Sequence, residues 1–429
     1  MRTFHQILGN ALIVAVINMF VWFAVIFWMY LETSSVLATA YSGGVFMIAM
    51  ALSSFWFGSI VDHNKKKVVT ILSSVATLGF YLAAFGVYLV TPADVFKDVM
   101  NPTLWLFVSL LLGAVIASNL RGIAMPTLVT LLVPENDRDK ANGMVGMVMG
   151  ISSMGAGFAS GFALAYLGMF WVVAIGVAVT VAAIVHLFFI SIPEPEIVHT
   201  QEKPKQIDIR GTISAIRGIP GLFALIFFTT FNNFLGGVFM SLMDPYGLSL
   251  MRVELWGVLW GVLSSGFILG GLYIAKYGLG KSPLRTLFRI NIVTWIVCIL
   301  FTIQPSIILL AIGILIWVCL MPFIEATEHT IIQKVVPFER QGRVIGFAQS
   351  VEMAASPVTA FFIGPIAQFI FIPFMTTGAG VALIGDWFGV GPGRGMALIF
   401  VLTGIIGLAV TLVAMRSRAY KLLARQYSQ

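Results

Sequence analysis

Twelve long apolar runs dominate the chain, at about 8–31, 41–61, 68–91, 104–132, 141–165, 169–191, 219–243, 253–276, 286–303, 306–333, 343–371 and 396–416, each bounded by charged or turn-forming residues. Roughly 20 apolar residues carry a helix across the hydrocarbon core of a bilayer, so each run predicts one crossing. A transmembrane barrel would show strands of about ten residues alternating apolar and polar. These runs are continuous, and in lipid a continuous apolar segment satisfies its own backbone only as a helix. Composition excludes a water-soluble fold: 59% of the 429 residues are apolar and 10% charged, against about 45–50% and about 25% in soluble domains. The chain reads as an all-α integral membrane protein with twelve transmembrane helices.

The net charge of +7 is placed by topology. With both termini cytoplasmic, Arg2, Lys65–Lys67, Arg138, Lys140, Lys203, Lys205, Lys276, Lys281, Arg340, Arg343 and Arg418 fall at or inside the inner boundary, and only Lys97, Arg252 and Arg394 fall outside. This obeys the positive-inside rule and predicts a multi-pass protein of the cell membrane, its basic charge explained without a nucleic-acid partner. Arg121 is the one basic residue left inside a run. The first run follows Arg2 and His5 without a small-residue cleavage pattern, which predicts a retained helix. Cys298 and Cys319 both lie in apolar runs, with neither disulfide nor zinc spacing.

The longest polar stretch, 192–218, falls between runs six and seven and predicts a cytoplasmic linker joining residues 1–191 to residues 219–429. The Gly-rich stretch 373–395 predicts an outer loop with a short interfacial helix around Leu383–Phe388. The halves echo each other. Gly44 precedes Gly58 as Gly257 precedes Gly271, and the segment 133–145, VPENDRDKANGMV, parallels VPFERQGRV at 336–344. A repeat in the same orientation implies two pseudo-symmetric six-helix bundles with a substrate path between them.

Between runs two and three stands Gly58-Ser-Ile-Val-Asp62-His-Asn-Lys65-Lys66-Lys67. This stretch resembles the G-x-x-x-D-R-x-G-R-K loop of the major facilitator superfamily, with His63 at the family's Arg and Lys65 at its Gly. The resemblance implies the major facilitator fold, with spans 1, 4, 7 and 10 lining the path. It also makes Gly58, Asp62, Lys65, Lys66 and Lys67 a gating loop, in which Gly58 permits close helix approach and Asp62 charge-pairs at inner helix ends. The matching loop of the second half, Gly271 to Lys281, lacks the acid. Leu120-Arg121-Gly122-Ile123, LVPEND after it and IIQKVVPFERQGRV at 331–344 are similar to the macrolide-efflux type of drug:proton antiporter. The antiporter signature Gly-Pro-x-x-Gly-Gly is only echoed, as Gly157 to Gly161 without the Pro.

Polar residues fall on the spans that the resemblance assigns to the path: Asn18 on span one, Asn119 and Arg121 on span four, Thr229, Thr230, Asn232 and Asn233 on span seven, and Glu325, Glu328 and His329 on span ten. Ionisable groups inside a membrane are costly and are functional candidates by default. Arg121 is expected to bind an anionic group, to pair with Glu325 or Glu328 across the path, or to clamp helices structurally. Glu325, Glu328 and His329, at i, i+3 and i+4, share one helical face and suit proton exchange, or else meet Arg340 or Arg343 at the inner end. Glu352 has no basic neighbour in sequence and is the leading proton carrier, the competing reading being a neutral acid hydrogen-bonded to a helix neighbour. Met144, Met147, Met149 and Met154, with Trp260 and other tryptophans, offer an adaptable surface for a bulky apolar compound, unless they only pack.

The chain contains no phosphate-binding loop, metal-ligand set or nucleophile arrangement, so neither an enzyme nor a cofactor or metal is expected. The expected function is proton-coupled efflux of bulky hydrophobic or amphipathic compounds, macrolides among them, by a monomer that also contacts membrane lipids. The alternatives are a lipid, lysolipid or siderophore transporter of the same fold, and a non-transporting sensor or scaffold using the linker or outer loop.

Overall fold

The computed structural model describes residues 1–33, 36–194 and 209–428. It is all-helical. The helices are α1 (Arg2–Thr33), α2 (Val36–His63), α3 (Lys66–Val90), α4 (Pro102–Leu132), α5 (Arg138–Leu167), α6 (Met169–Phe188), α7 (Ile209–Gly218), α8 (Leu222–Leu250), α9 (Val253–Leu263), α10 (Ser265–Tyr277), α11 (Pro283–Leu300), α12 (Ile307–Val335), α13 (Gln341–Ile366), α14 (Ile372–Thr376), α15 (Ala379–Phe388), α16 (Pro392–Arg416) and α17 (Arg418–Ser428). Among the described residues, twelve helices are long and apolar enough to cross a membrane, α9 and α10 together supplying the eighth. Twelve crossings place both termini on one side, the terminal face, opposite the distal face.

Local chemistry sets several helix ends. Asn101 accepts the Thr103 N–H and Pro102 follows it at the first helical position of α4, where its missing N–H costs nothing. Ser306 caps α12 by accepting the Leu309 N–H. Gly168, at φ +81°, makes the α5–α6 corner.

One core gathers α1, α3, α4, α5 and α6 around Val21, Trp28, Tyr81 and Phe107; another gathers α8, α11, α12 and α16 around Phe239, Trp295, Phe301 and Phe400. The repeat is visible in polar pairs. Tyr81 of α3 donates to Asn18 of α1 at 2.8 Å, and Trp295 of α11 donates to Asn232 of α8 at 3.1 Å. The two pairs are offset by the same 214 positions along the chain. Between the first and second sets of helices, α2 lies along α13 and α5 along α10.

Three expectations change. Residues 195–208 of the linker, including Lys203 and Lys205, lie outside the described residues, but its last ten form the helix α7. The stretch 373–395 is not one loop: α14 continues the line of α13 through a π-helical turn at Ala367–Phe371, the short helix begins at Ala379, and α16 starts at Pro392. Arg394 therefore lies in the first turn of the last crossing, 4% exposed, and Arg121 is not the only basic residue inside a span. Its guanidinium donates to the carbonyls of Phe388 (2.5 Å), Thr302 (3.0 Å) and Ile303 (2.8 Å) and stacks 3.9 Å from the Phe388 ring. Burial is tolerated because carbonyl dipoles and a ring face replace water.

Candidate functional site

The last turns of α2 carry the Gly58–Lys67 stretch and lie on the first turns of α13. A Cβ on Gly58 would overlap the Gly342 carbonyl oxygen, and one on Gly346 would stand 2.5 Å from the Ser54 oxygen, so the two backbones touch with no side chain between. Asp62, 8% exposed, sits at the start of α13. Its Oδ1 accepts the Gly342 N–H at 2.6 Å, and its Oδ2 accepts the backbone N–H of Arg343 at 2.9 Å and Nε at 3.1 Å. A carboxylate there meets both the unpaired amides and the positive end of the helix dipole. Lys66 turns inward, donating to the Val61 carbonyl at 2.5 Å with Nζ 5.2 Å from the Phe338 ring; Lys65 is exposed, and the Lys67 backbone N–H is held by Glu194 at 2.7 Å. His63, at the place of the family's Arg, turns back to the Ser59 carbonyl at 2.7 Å.

A second seam closes α5 on α10. Added Cβ atoms on Gly143 and Gly150 would stand 2.5 Å from Ile274 and Phe267, and one on Gly271 would stand 2.8 Å from Met147. Met147 thus packs in the seam. The acid missing from the second gating loop is supplied from the other side: Asp139, at the start of α5, accepts the Leu279 N–H at 2.7 Å beyond the end of α10. Between the seams lies a neutral network. Asn142 donates to Thr330 and to Gln333, both at 2.9 Å, Gln333 donates to the Pro126 carbonyl at 2.8 Å, and Gln341 donates to the Gln333 carbonyl at 3.1 Å. At the rim Lys334 pairs with Glu135 at 3.3 Å. Sequence reasoning missed Asp139, Asn142, Gln333 and Gln341. The signal was Asp139 and Asn142 lying in the repeated VPEND segment, but their partners come from another helix pair.

Just above this floor Asn119 bridges the halves, donating to Ser54 of α2 at 2.9 Å and accepting from Gln349 of α13 at 3.1 Å. Among the helices of the second set, the Thr229 hydroxyl of α8 lies 2.5 Å from Glu352 Oε1 of α13 and 3.5 Å from Glu328 Oε1 of α12. The structure thus brings two predicted acids from different helices onto one hydroxyl. Glu328 is 8% exposed, Glu352 and His329 are half-buried, and Glu325 is exposed on the same helix. Among the described residues, no Lys or Arg forms an ion pair with any of these carboxyls, so the expected meeting with Arg340 or Arg343 does not occur; Arg343 is taken by Asp62.

Other predicted path residues lie elsewhere. Arg121, 5% exposed, donates to Asn10 of α1 and Ser74 of α3, both at 2.5 Å, and pairs with neither Glu325 nor Glu328. It clamps α4 to α1 and α3. Asn18 and Asn232 are engaged by Tyr81 and Trp295 within their own bundles, whereas Asn233 is exposed. Trp260 packs edge-on against Trp256 at 5.8 Å in the second core, and Trp256 is itself bonded to Asp244.

Toward the distal face the close glycine contacts end: Cβ atoms added at Gly43 and Gly44 of α2 or at Gly155, Gly157 and Gly161 of α5 would meet nothing within 4 Å. The candidate site is a carboxyl pair beside two helix seams that backbone contact and capped charge close near the terminal face.

A family model described as Major Facilitator Superfamily matches residues 7–360. No curated protein matches the chain. Among solved structures, a bacterial homologue of the iron transporter ferroportin in its outward-facing state is 14% identical at a TM-score of 0.70, with 97% of this chain and 100% of that chain covered. The human organic anion transporter MFSD10 (TETRAN) is 11% identical at 0.63, covering 94% and 99%. The proton:xylose symporter XylE bound to 6-bromo-6-deoxy-D-glucose is 13% identical at 0.61, covering 95% of each. At such identities these likenesses show the fold.

Proposed function

Because the chain belongs to the major facilitator superfamily and is a membrane transporter, we propose that it exports a bulky hydrophobic or amphipathic compound in exchange for protons. The observation that carries this reading is the Glu328–Thr229–Glu352 group, two carboxyls on one hydroxyl with no basic ion-pair partner among the described residues. Two carboxyls that meet at one hydroxyl from different helices give a proton a place to bind and to leave. Exposed Glu325, about one turn nearer the distal end of α12 than Glu328, gives that proton a route toward the open side, with His329 beside the pair.

The positive-inside pattern makes the terminal face cytoplasmic, so the seal faces the cytoplasm and the open side faces out. Transport then requires the α2–α13 and α5–α10 seams to part while the distal ends close, a rocking of two halves about the acid site. Residues 1–191 and 219–429 are the proposed rocking units, working as a monomer. The iron of the ferroportin homologue is not carried over to this chain: among the described residues no three His, Cys, Asp or Glu side chains are grouped to hold a metal ion.

The test is efflux in proteoliposomes with an imposed pH gradient, using macrolides and other amphiphiles as cargo. Parent protein accelerates cargo movement when protons run the opposite way, and Glu352→Gln does not respond to the gradient. Gradient-indifferent transport by the parent, together with parental behaviour of Glu352→Gln, refutes the reading. A second reading, lipid or lysolipid transport, draws on two apolar grooves of about 540 and 510 Å³ along α1, α5 and α6, the first lined by Phe27, Leu31 and Leu164, the second by Ile13, Phe20 and Ala163. Cargo movement stimulated by lipid without any proton requirement would favour it.

A further inference from the structure

On the terminal face a cavity of about 490 Å³ opens between α7 and the start of α13, apart from the path and its acids. Its wall on one side is Gly211, Thr212, Ser214 and Gly218 of α7; on the other stand Arg340 and Arg343, over an apolar base that includes Val336 and Val344. Among the described residues, none that lines it is acidic. Arg340 is exposed and, among the described residues, forms no ion pair. Among the described residues, the Arg343 guanidinium gives only Nε to Asp62, which leaves its two Nη groups for another acceptor.

We propose that this cavity binds a phosphate-bearing anion. Two guanidinium groups present parallel N–H donors that match a tetrahedral oxyanion with three or more acceptor oxygens better than a single charge would. The Ser214 hydroxyl adds a polar group on the facing wall. The volume exceeds what a phosphate alone fills, and the apolar base accommodates a carbon substituent, so the ligand is a phosphate ester: an anionic lipid headgroup at the membrane boundary or a soluble organic phosphate.

The full-length purified chain is tested in two arms, native mass spectrometry with phosphatidylglycerol and calorimetric titration with glycerol 3-phosphate. The parent binds in at least one arm, and the arm identifies the source. Arg340→Gln removes one charge-assisted contact from an exposed position and is expected to weaken binding about tenfold. Arg418→Gln, which removes an exposed arginine of α17 outside the cavity, leaves binding at the parental level. The proposal is overturned by absence of binding in both arms, by parental affinity of Arg340→Gln, or by an equal loss in Arg418→Gln, which would mark general surface charge.

Discussion

Replacing Gly58 by alanine tests the seal where its geometry is least forgiving. The added methyl would overlap the Gly342 carbonyl oxygen and stand 3.1 Å from both the Gly342 carbonyl carbon and the Arg343 Cα, all of them backbone atoms of α13 that cannot rotate aside. Alanine also favours the helix over glycine by about 1 kcal/mol, but α2 is helical whether or not it touches α13, so that gain cancels between the sealed and unsealed states. What remains is the overpacking cost, about 1–3 kcal/mol, incurred only when the terminal face is closed. A bias of that size shifts a two-state equilibrium by about 5- to 150-fold away from the sealed form. Gly44→Ala is the matched control, adding the same methyl to the same helix where nothing lies within 4 Å. Spin labels on Lys65→Cys and Glu339→Cys, two exposed positions flanking the α2–α13 seam, report the separation on the terminal face. Gly58→Ala should convert a short distance distribution into a longer one, and Gly44→Ala should not. Identical distributions in parent and Gly58→Ala would refute the claim that backbone contact holds the seal.

Three further outcomes follow from the same geometry. Asp62→Asn keeps one acceptor oxygen but loses the charge facing three donors at the start of α13; at about 1.5–3 kcal/mol per bond to a charged group, the terminal-face labels should separate at least as far as in Gly58→Ala. Thr229→Val removes the hydroxyl shared by Glu328 and Glu352, so the pH profile of proteoliposome transport should move, while Thr229→Ser should restore it; an unmoved profile in Thr229→Val would show that the hydroxyl positions neither acid. Arg394→Gln strips the buried guanidinium from three carbonyls and should destabilise the detergent-solubilised protein by about 2–4 kcal/mol, read as a lower melting midpoint, with the Lys65–Glu339 label distance on the terminal face unchanged.

The number and class of the helices were legible because lipid imposes one rule on every run: an apolar segment of sufficient length must satisfy its backbone internally, and that rule needs no knowledge of neighbours. The Gly58–Asp62 spacing was legible for a related reason, since four residues place glycine and carboxylate on one side of a single helix end. What a polar residue does inside a span was not legible, because that depends on which face of its helix meets which partner. Asn18 and Asn232 sit on path-lining spans, yet each is turned into its own bundle by an aromatic donor two crossings away. Arg121 reads in sequence as either a charge for the path or a clamp between helices, and its partners Asn10 and Ser74 decide for the clamp; Arg394 reads as an outer-loop charge and is a buried one. The second gating loop has no acid of its own, and folding brings Asp139 to Leu279 from 140 residues away. Sequence alone determined how many times the chain crosses and which residue types it carries into the bilayer; the tertiary structure decided which of those charges face each other, because helix rotation and the pairing of α2 with α13 and α5 with α10 are set by packing across the whole molecule.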